Sequence, residues 1–340
     1  MNEKVVIPKL DDVARVAGVS TATVSRCLNT PDRVAKATLD KVMKTVEELG
    51  YTPHFGARVM AAKRTFTVGA IIPTMENAIF ARGLQAFQEE LHKRGFTLLV
   101  SSSGYQPEVE KEQIRTLVAR GADALLLIGY DREPEIYEFL RKRNVPVFVA
   151  WAYAPEHDLP SIGFDNLNAM CRLAQKVIDF GHRKIAVISG IIEGNDRAFN
   201  RLEGIKNALR QNGLDVDQMK VVETNYGIEN GARALEQILS STNPPTAVMC
   251  GNDVLAVGAL RYASKAGLRV PEDISITGFD DIELASIVTP TLTTVHVPHR
   301  EMGRKAATEL ANLVEGIAGV RMEELETSLR IRDSLGAPPA

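Results

Sequence analysis

The sequence predicts a small all-α head followed by a larger α/β body of two lobes, each built on a parallel, doubly wound sheet. Three observations carry that reading. Residues 10–29 contain two short amphipathic stretches separated by a glycine. From residue 66 onward, β-branched apolar runs alternate with amphipathic helical segments, the pattern of parallel sheets covered by helices. The charge is also split: residues 1–64 carry eleven Lys/Arg and seven Asp/Glu, a net of +4, whereas the whole chain carries −3. A basic head on an acidic body suits phosphate contact by the head alone.

In the first stretch Val13, Ala14 and Ala17 put small or apolar groups on one helical face. Gly18 follows, where a left-handed exit costs a residue without Cβ little. Ser20 is a natural N-cap for a second helix whose inward face carries Val24 and Leu28. Its opposite face shows Thr21, Ala22, Ser25, Arg26 and Asn29. Short side chains let such a helix lie deep in a DNA groove, and one Arg can bond two guanine acceptors. An ordinary helical hairpin with a solvated face would show the same periodicity. A third helix follows, with Leu39, Val42, Val46 and Leu49 at helical spacing and Gly50 as its stop.

The body's strand-like runs are 67–73, 97–103, 124–129, 145–152, 184–190, 247–252 and 275–280, all reading as strands buried on both faces. Phe80, Leu84, Phe87 and Leu91 mark one of the intervening helices. Such lobes enclose a cleft, and open α/β sheets receive ligands just beyond their strand ends. Asn252 and Asp253 follow one strand, Asp280 and Asp281 another; each pair either caps the next helix or faces a ligand.

Other classes find no support. Cys27, Cys171 and Cys250 lie far apart, which suits a reducing compartment, with the first two on helices and the third in a strand. No apolar run has the length of a signal peptide or a membrane span. The six histidines are scattered, without metal-ligand spacing, and no glycine-rich phosphate loop occurs, so neither cofactor nor metal nor enzymatic activity is expected. His182, just before a strand, reads as structural.

Residues 10–29 resemble the helix-turn-helix of the lactose-repressor family, with Ala14, Gly18 and Val24 in matching positions. The stretch GYTPHFGARVMAAKRT resembles that family's linker, with Ala57 to Met60 in its hinge helix. The likeness continues in family order through KRTFTVGAIIP, GFDN, FGHRKIAVISG, RLEG, GNDVLAVGAL and VPEDISITGFDD, over nearly all of the chain. Lys9 departs from it, standing where the family has a capping hydroxyl, at a cost of about 1 kcal/mol. The resemblance implies a helix-turn-helix DNA-binding domain over 1–52 and a hinge-helix linker over 53–65. It further implies a periplasmic-binding-protein-like effector-binding and dimerisation domain over 66–340. Lobe 1 would take about 66–161 and 294–324, and lobe 2 about 163–291 and 326–340.

On that resemblance Arg26 is the main base reader, tuned by Thr21 and Ala22, while Ser20, Thr23, Ser25 and Asn29 touch phosphates. Met60 stands where the family has a leucine wedge for the minor groove. Asn252 and Asp280 resemble residues that hold effector hydroxyls, with Asp253 and Asp281 structural. Arg201 in RLEG matches the effector-contacting arginine. Phe80, Trp151 and Tyr226 are candidates to pack on a sugar ring, or, for the first two, to belong to the core. Arg197, four residues before Arg201, shares its helical face and either flanks the ligand or lies on the surface. The stretch GYQPEVEKEQ with GFDN is similar to the gluconate-utilisation repressor branch, which points to a sugar acid.

The expectation is a cytoplasmic transcriptional repressor acting as a homodimer on near-palindromic operator DNA. A small sugar or sugar acid between the lobes would control its operator affinity. The rival is a solute-binding protein of a sugar transport system, against which stand the basic head and the want of an export signal. The tail SLGAPPA offers no leucine heptads for a tetramer.

Overall fold

The computed structural model describes residues 8–52, 64–317 and 322–339. The chain divides into two compact units, Met1–Thr65 and Phe66–Ala340. Among the described residues the first holds three α-helices, α1 (Leu10–Ala17), α2 (Thr21–Asn29) and α3 (Lys36–Leu49). Their apolar faces meet in one small core of Val13, Ala14, Ala17, Val24, Cys27, Val42 and Tyr51, with Leu28, Leu39 and Val46 against it. α1 stops where Gly18 turns left-handed, at φ 63°. α2 starts at Ser20, whose Oγ accepts the Thr23 N–H at 3.1 Å. A Lys9 ammonium cannot accept a hydrogen bond, and the Asp12 carboxylate instead takes the Lys9 N–H at 2.9 Å, half of a capping box. Ala57 and Met60 lie outside the described residues.

The second unit contains two parallel sheets. β1 (Thr67–Ile72), β2 (Thr97–Ser102), β3 (Ala124–Ile128), β4 (Val147–Ala150), β5 (Ser161–Gly163) and β11 (Glu323–Glu324) form one, in the order β11-β5-β4-β3-β1-β2. β6 (Ile185–Gly190), β7 (Val221–Thr224), β8 (Ala247–Cys250) and β9 (Ser275–Thr277) form the other, in the order β7-β6-β8-β9. β10 (Thr294–His296) and β12 (Ser328–Arg330) pair antiparallel as a separate ribbon. The strand order reverses beside β1 in one sheet and beside β6 in the other, and these reversals open crevices at the carboxyl ends of the strands.

Helices cover both sheets. α4 (Ala78–Lys93) buries Phe80, Leu84, Phe87 and Leu91, the residues its periodicity singled out. α5 (Pro107–Ala119) and α6 (Pro134–Lys142) complete the first lobe's early helices. α7 (Asn166–Asp179) packs on α8 (Asp196–Gln211), and α9 (Ile228–Leu239) on α10 (Asp253–Lys265). After the short α11 (Glu283–Ile287), α12 (His299–Glu315) returns to pack on α4 and on β3, β4 and β5. The chain therefore passes between the sheets three times: after β5, through β10 into α12, and between β11 and β12. His182 is fully buried and bonded to Thr246, Ser275 and the Gly336 carbonyl, a structural role. Cys27 and Cys171 lie on helices and Cys250 in β8.

One strand departs from the sequence reading. Residues 97–103 were expected to be buried on both faces, yet β2 pairs only with β1 and ends the sheet, leaving Leu99 and Val100 36% and 37% exposed. Apolar alternation cannot distinguish an edge strand that awaits a partner from a central one. β7 went unread because four residues with Glu223 and Thr224 at one end give too short an apolar run.

Candidate functional site: an exposed head helix and an interlobe cavity

In the head, α2 turns Val24 and Cys27 inward, which leaves Ser20, Thr21, Ala22 and Arg26 exposed and Thr23 and Ser25 half-buried. The Ser20 hydroxyl is already engaged, with the Thr23 N–H and with the Thr23 hydroxyl at 2.9 Å. That bond fixes the first turn of the helix and orients both hydroxyls. Asn29 is the last residue of α2. The exposed face thus presents short side chains and one long guanidinium.

In the body, the strand-end residues converge. Phe80, Trp151, Arg197, Arg201, Tyr226, Asn252 and Asp280 all line one small, nearly closed cavity of about 20 Å³, together with Asn77, Ile79, Tyr105 and Asn195. A larger groove of about 240 Å³ opens at the opposite, amino ends of β6 and β7, lined by Arg183, Lys184 and Lys220 among others; no expected site residue reaches it.

Asp280 is the chemical centre of the cavity. It is 1% exposed, follows β9 at φ 110°, and neither carboxylate oxygen has a hydrogen-bond partner. Burial pushes its pKa up to about 6, and the Arg201 guanidinium, whose Nη2 lies 3.5 Å from Oδ1, holds it back from rising further. Asp253, by contrast, is structural: its oxygens accept from Thr294 Oγ1 at 2.6 Å and Ile282 N at 2.8 Å. Burial and the neighbouring Asp280 still raise its pKa well above the usual value. Asp281 is occupied by Arg332 at 2.6 Å and His296 at 2.8 Å.

Arg201 is buried and held on three sides. Its Nε donates to Asn166 Oδ1 at 2.8 Å, its Nη1 to the Gly251 carbonyl at 2.7 Å, and its plane lies 3.9 Å over the Phe279 ring. Asn252 combines both roles that the sequence left open: Oδ1 caps α10 by accepting the Leu255 N–H at 2.9 Å, while the residue also lines the cavity. Phe80 and Trp151 are both core and wall, packed on each other at 5.5 Å between ring centroids and almost fully buried. Tyr226 faces Tyr105 at 5.4 Å, which makes an aromatic pair on the other side.

Arg197 is neither a surface residue nor free for a ligand. Its Nη1 donates to the Ile128 carbonyl of β3 at 2.9 Å and to Asp196 Oδ1 at 2.8 Å. Asp196 Oδ2 in turn accepts the Tyr130 N–H at 2.6 Å. The first two residues of α8 thereby clasp the end of β3 in the other lobe. Gly129 permits it: its φ is 72°, and a Cβ there would lie 1.9 Å from Arg197 Nη1.

The sequence reading missed Asn77, Tyr105 and Asn195, all of which follow strand ends and were open to the same rule. It also missed Asn166 and His299, which follow the short strands β5 and β10 and act on the cavity through Arg201 and Trp151. Among the described residues, no group of three or more His, Cys, Asp or Glu could hold a metal, and no helix is long and apolar enough to cross a membrane.

Comparison with known proteins accounts for both units. Residues 9–54 match the model of bacterial regulatory proteins of the lacI family, and residues 174–335 match a periplasmic binding protein-like domain. The HTH-type transcriptional repressor CytR of Escherichia coli (strain K12) is 36% identical over 334 residues, 97% of each chain. The lac repressor dimer, solved bound to operator and the anti-inducer ONPF, superposes with a TM-score of 0.84 at 28% identity, over 98% of this chain and 100% of that one. The transcriptional regulator CelR in its cellobiose complex superposes with a TM-score of 0.71 at 29% identity, over 96% and 99%. With the head, the two-lobed body and their order all shared over nearly the full length, the chain belongs to the lacI family and is a DNA-binding transcriptional regulator with an effector-binding body.

Proposed function

We propose that this regulator is a cytoplasmic repressor, a binding protein rather than an enzyme, that acts as a homodimer on a near-palindromic operator. Arg26 reads bases with Thr21 and Ala22 beside it, and Ser20, Thr23, Ser25 and Asn29 contact phosphates. Lobe 1 (66–161 and 294–324) and lobe 2 (163–291 and 326–340) move about the three chain passages. The open edge of β2, with Leu99 and Val100 exposed, is a surface for a second copy of the chain.

The effector is a small polyhydroxylated molecule held between the lobes. The observation that carries this is Asp280: a buried carboxylate with two unpartnered oxygens in a cavity lined by aromatic rings calls for hydroxyl donors on a compact, partly apolar body. The electrostatics favour a neutral sugar over a sugar acid. Arg197 is paired with Asp196, and Arg201 is paired with Asp280 at 3.5 Å while it donates to Asn166 and Gly251, so neither guanidinium is left over for a ligand carboxylate. A solute-binding role would leave the basic head without purpose.

Calorimetric titration with neutral mono- and disaccharides, cellobiose included, against gluconate tests the class. Neutral sugars are expected to bind and gluconate not; tight gluconate binding would reverse the preference. Arg201→Ala should weaken the bound sugar at least tenfold, because charge-assisted contacts and the orientation of Asp280 go together. An unchanged Kd would place the effector elsewhere.

A further inference from the structure

Three cavity residues hold backbone conformations that side-chain-bearing residues rarely adopt: Tyr105, at φ 59°, and two that share a neighbour. Trp151, following β4, has φ 63°, and Asp280, following β9, has φ 110°. They belong to different sheets, and one buried side chain touches both. His299, the first residue of α12, accepts the Trp151 indole N–H on Nδ1 at 3.2 Å. Its Nε2 lies 3.3 Å from the Asp280 carbonyl. An indole N–H can only donate and a carbonyl can only accept, so the imidazole is fixed in one neutral tautomer, with its proton on Nε2. No hydroxyl, amide or carboxylate offers an acceptor and a donor at opposite ends of a rigid ring.

We propose that His299 is the positioning residue of the effector site, coupling the indole of Trp151 on one lobe to the main chain of Asp280 on the other. The chief aromatic wall and the chief polar anchor then move as one, and a ligand that shifts either shifts both. The surroundings keep the imidazole neutral: burial, with Arg201, His296 and Arg82 nearby, pushes its pKa down to about 3. The indole has no room to move away, since a Cβ on Gly83 would already lie 2.4 Å from its Cζ2. Positive φ at a bulky residue is a strained state that persists only where neighbours over-determine it. His299 is the neighbour shared by both strained residues. The importance of the coupling rests on the effector reading above, but the coupling itself is measured without any effector.

Trp151 is the chain's single tryptophan, so the full-length protein with ¹⁵N-labelled indole gives one indole N–H cross-peak. Asp280→Gly, which releases the backbone at that position, should shift this peak in the wild-type background. In His299→Leu the peak itself should move upfield and exchange faster with water, and the shift caused by Asp280→Gly should fall below half. His299→Asn keeps an acceptor near the indole but is too short to reach the Asp280 carbonyl. It should leave the peak close to its wild-type position and still abolish the response to Asp280→Gly, which serves if the leucine variant does not fold. An indole peak unmoved in His299→Leu, or an undiminished response to Asp280→Gly in either variant, would overturn the proposal. Sugar binding that fails in a protein where this coupling is intact would count against the effector reading alone.

Discussion

Asp280 combines a left-handed backbone, two unpartnered buried oxygens and a pKa of about 6 against an ordinary 3.8. In the unfolded chain its carboxyl loses its proton near pH 4, whereas the folded protein keeps it to about pH 6. The folded state therefore gains from this group below pH 4 and loses that gain as pH rises through 6, a difference on the order of 3 kcal/mol. Asp280→Asn removes the ionisation while keeping shape, and Asn tolerates positive φ better than most residues. Its Tm should exceed that of wild type clearly at pH 8 and scarcely at pH 3.5; an equal gain at both would mean that the Asp280 carboxyl does not titrate with a raised pKa. Single residues were legible where chemistry sits directly after a strand, as for Asn252, Asp280 and Tyr226. They were not legible where a residue acts on another residue. Nothing in a sequence pairs Asn166 with Arg201, or shows that Arg197 spends its charge on the end of β3 in the opposite lobe.

At the scale of elements, periodicity and caps located α1, α2 and α3 because each helix has one apolar stripe and a clear stop. The strands β1, β3, β4, β6, β8 and β9 were visible as apolar runs for the same reason. Pairing was not visible: β2 has the apolar content of a central strand and lies at an edge, because the register and order of a sheet are tertiary facts. The strands β5, β7, β10 and β11 did not show because, unlike the equally short β4, β8 and β9, they do not sit within a longer apolar run. α2 yields the sharpest test. With Arg26 exposed and its helix fixed by the Ser20 cap, Arg26→Ala should cost about 1–3 kcal/mol of operator affinity while affecting random DNA far less. Equal losses on both, measured by titration at one salt concentration, would make Arg26 a phosphate contact. Ser20→Ala should lower the head's stability by about 1 kcal/mol, read as an earlier melting of its helical signal.

The whole molecule separates DNA binding from ligand binding along the chain, as the split in charge between head and body anticipated. A fragment of residues 65–340 has its own extensive core, so it should melt cooperatively and bind the sugar as the full chain does, with no operator affinity left. Operator binding by that fragment would refute the assignment of DNA recognition to the head. Within the body, Asp196 and Arg197 tie the two lobes together. Asp196→Ala should let the lobes part, which small-angle scattering would register as a larger radius of gyration of the protein without sugar; an unchanged radius would mean that packing and the other bonds between the lobes, His299 to the Asp280 carbonyl and Arg82 to Glu283, suffice to hold them. The clasp also bears on time. A molecule bound behind it can enter or leave only while the lobes are apart, so the frequency of opening sets a ceiling on both association and dissociation. Breaking the clasp should quicken both steps in stopped-flow traces of Trp151 emission while changing their ratio far less. The intact protein would thereby hold its answer to a passing change in sugar concentration longer than the bare affinity implies.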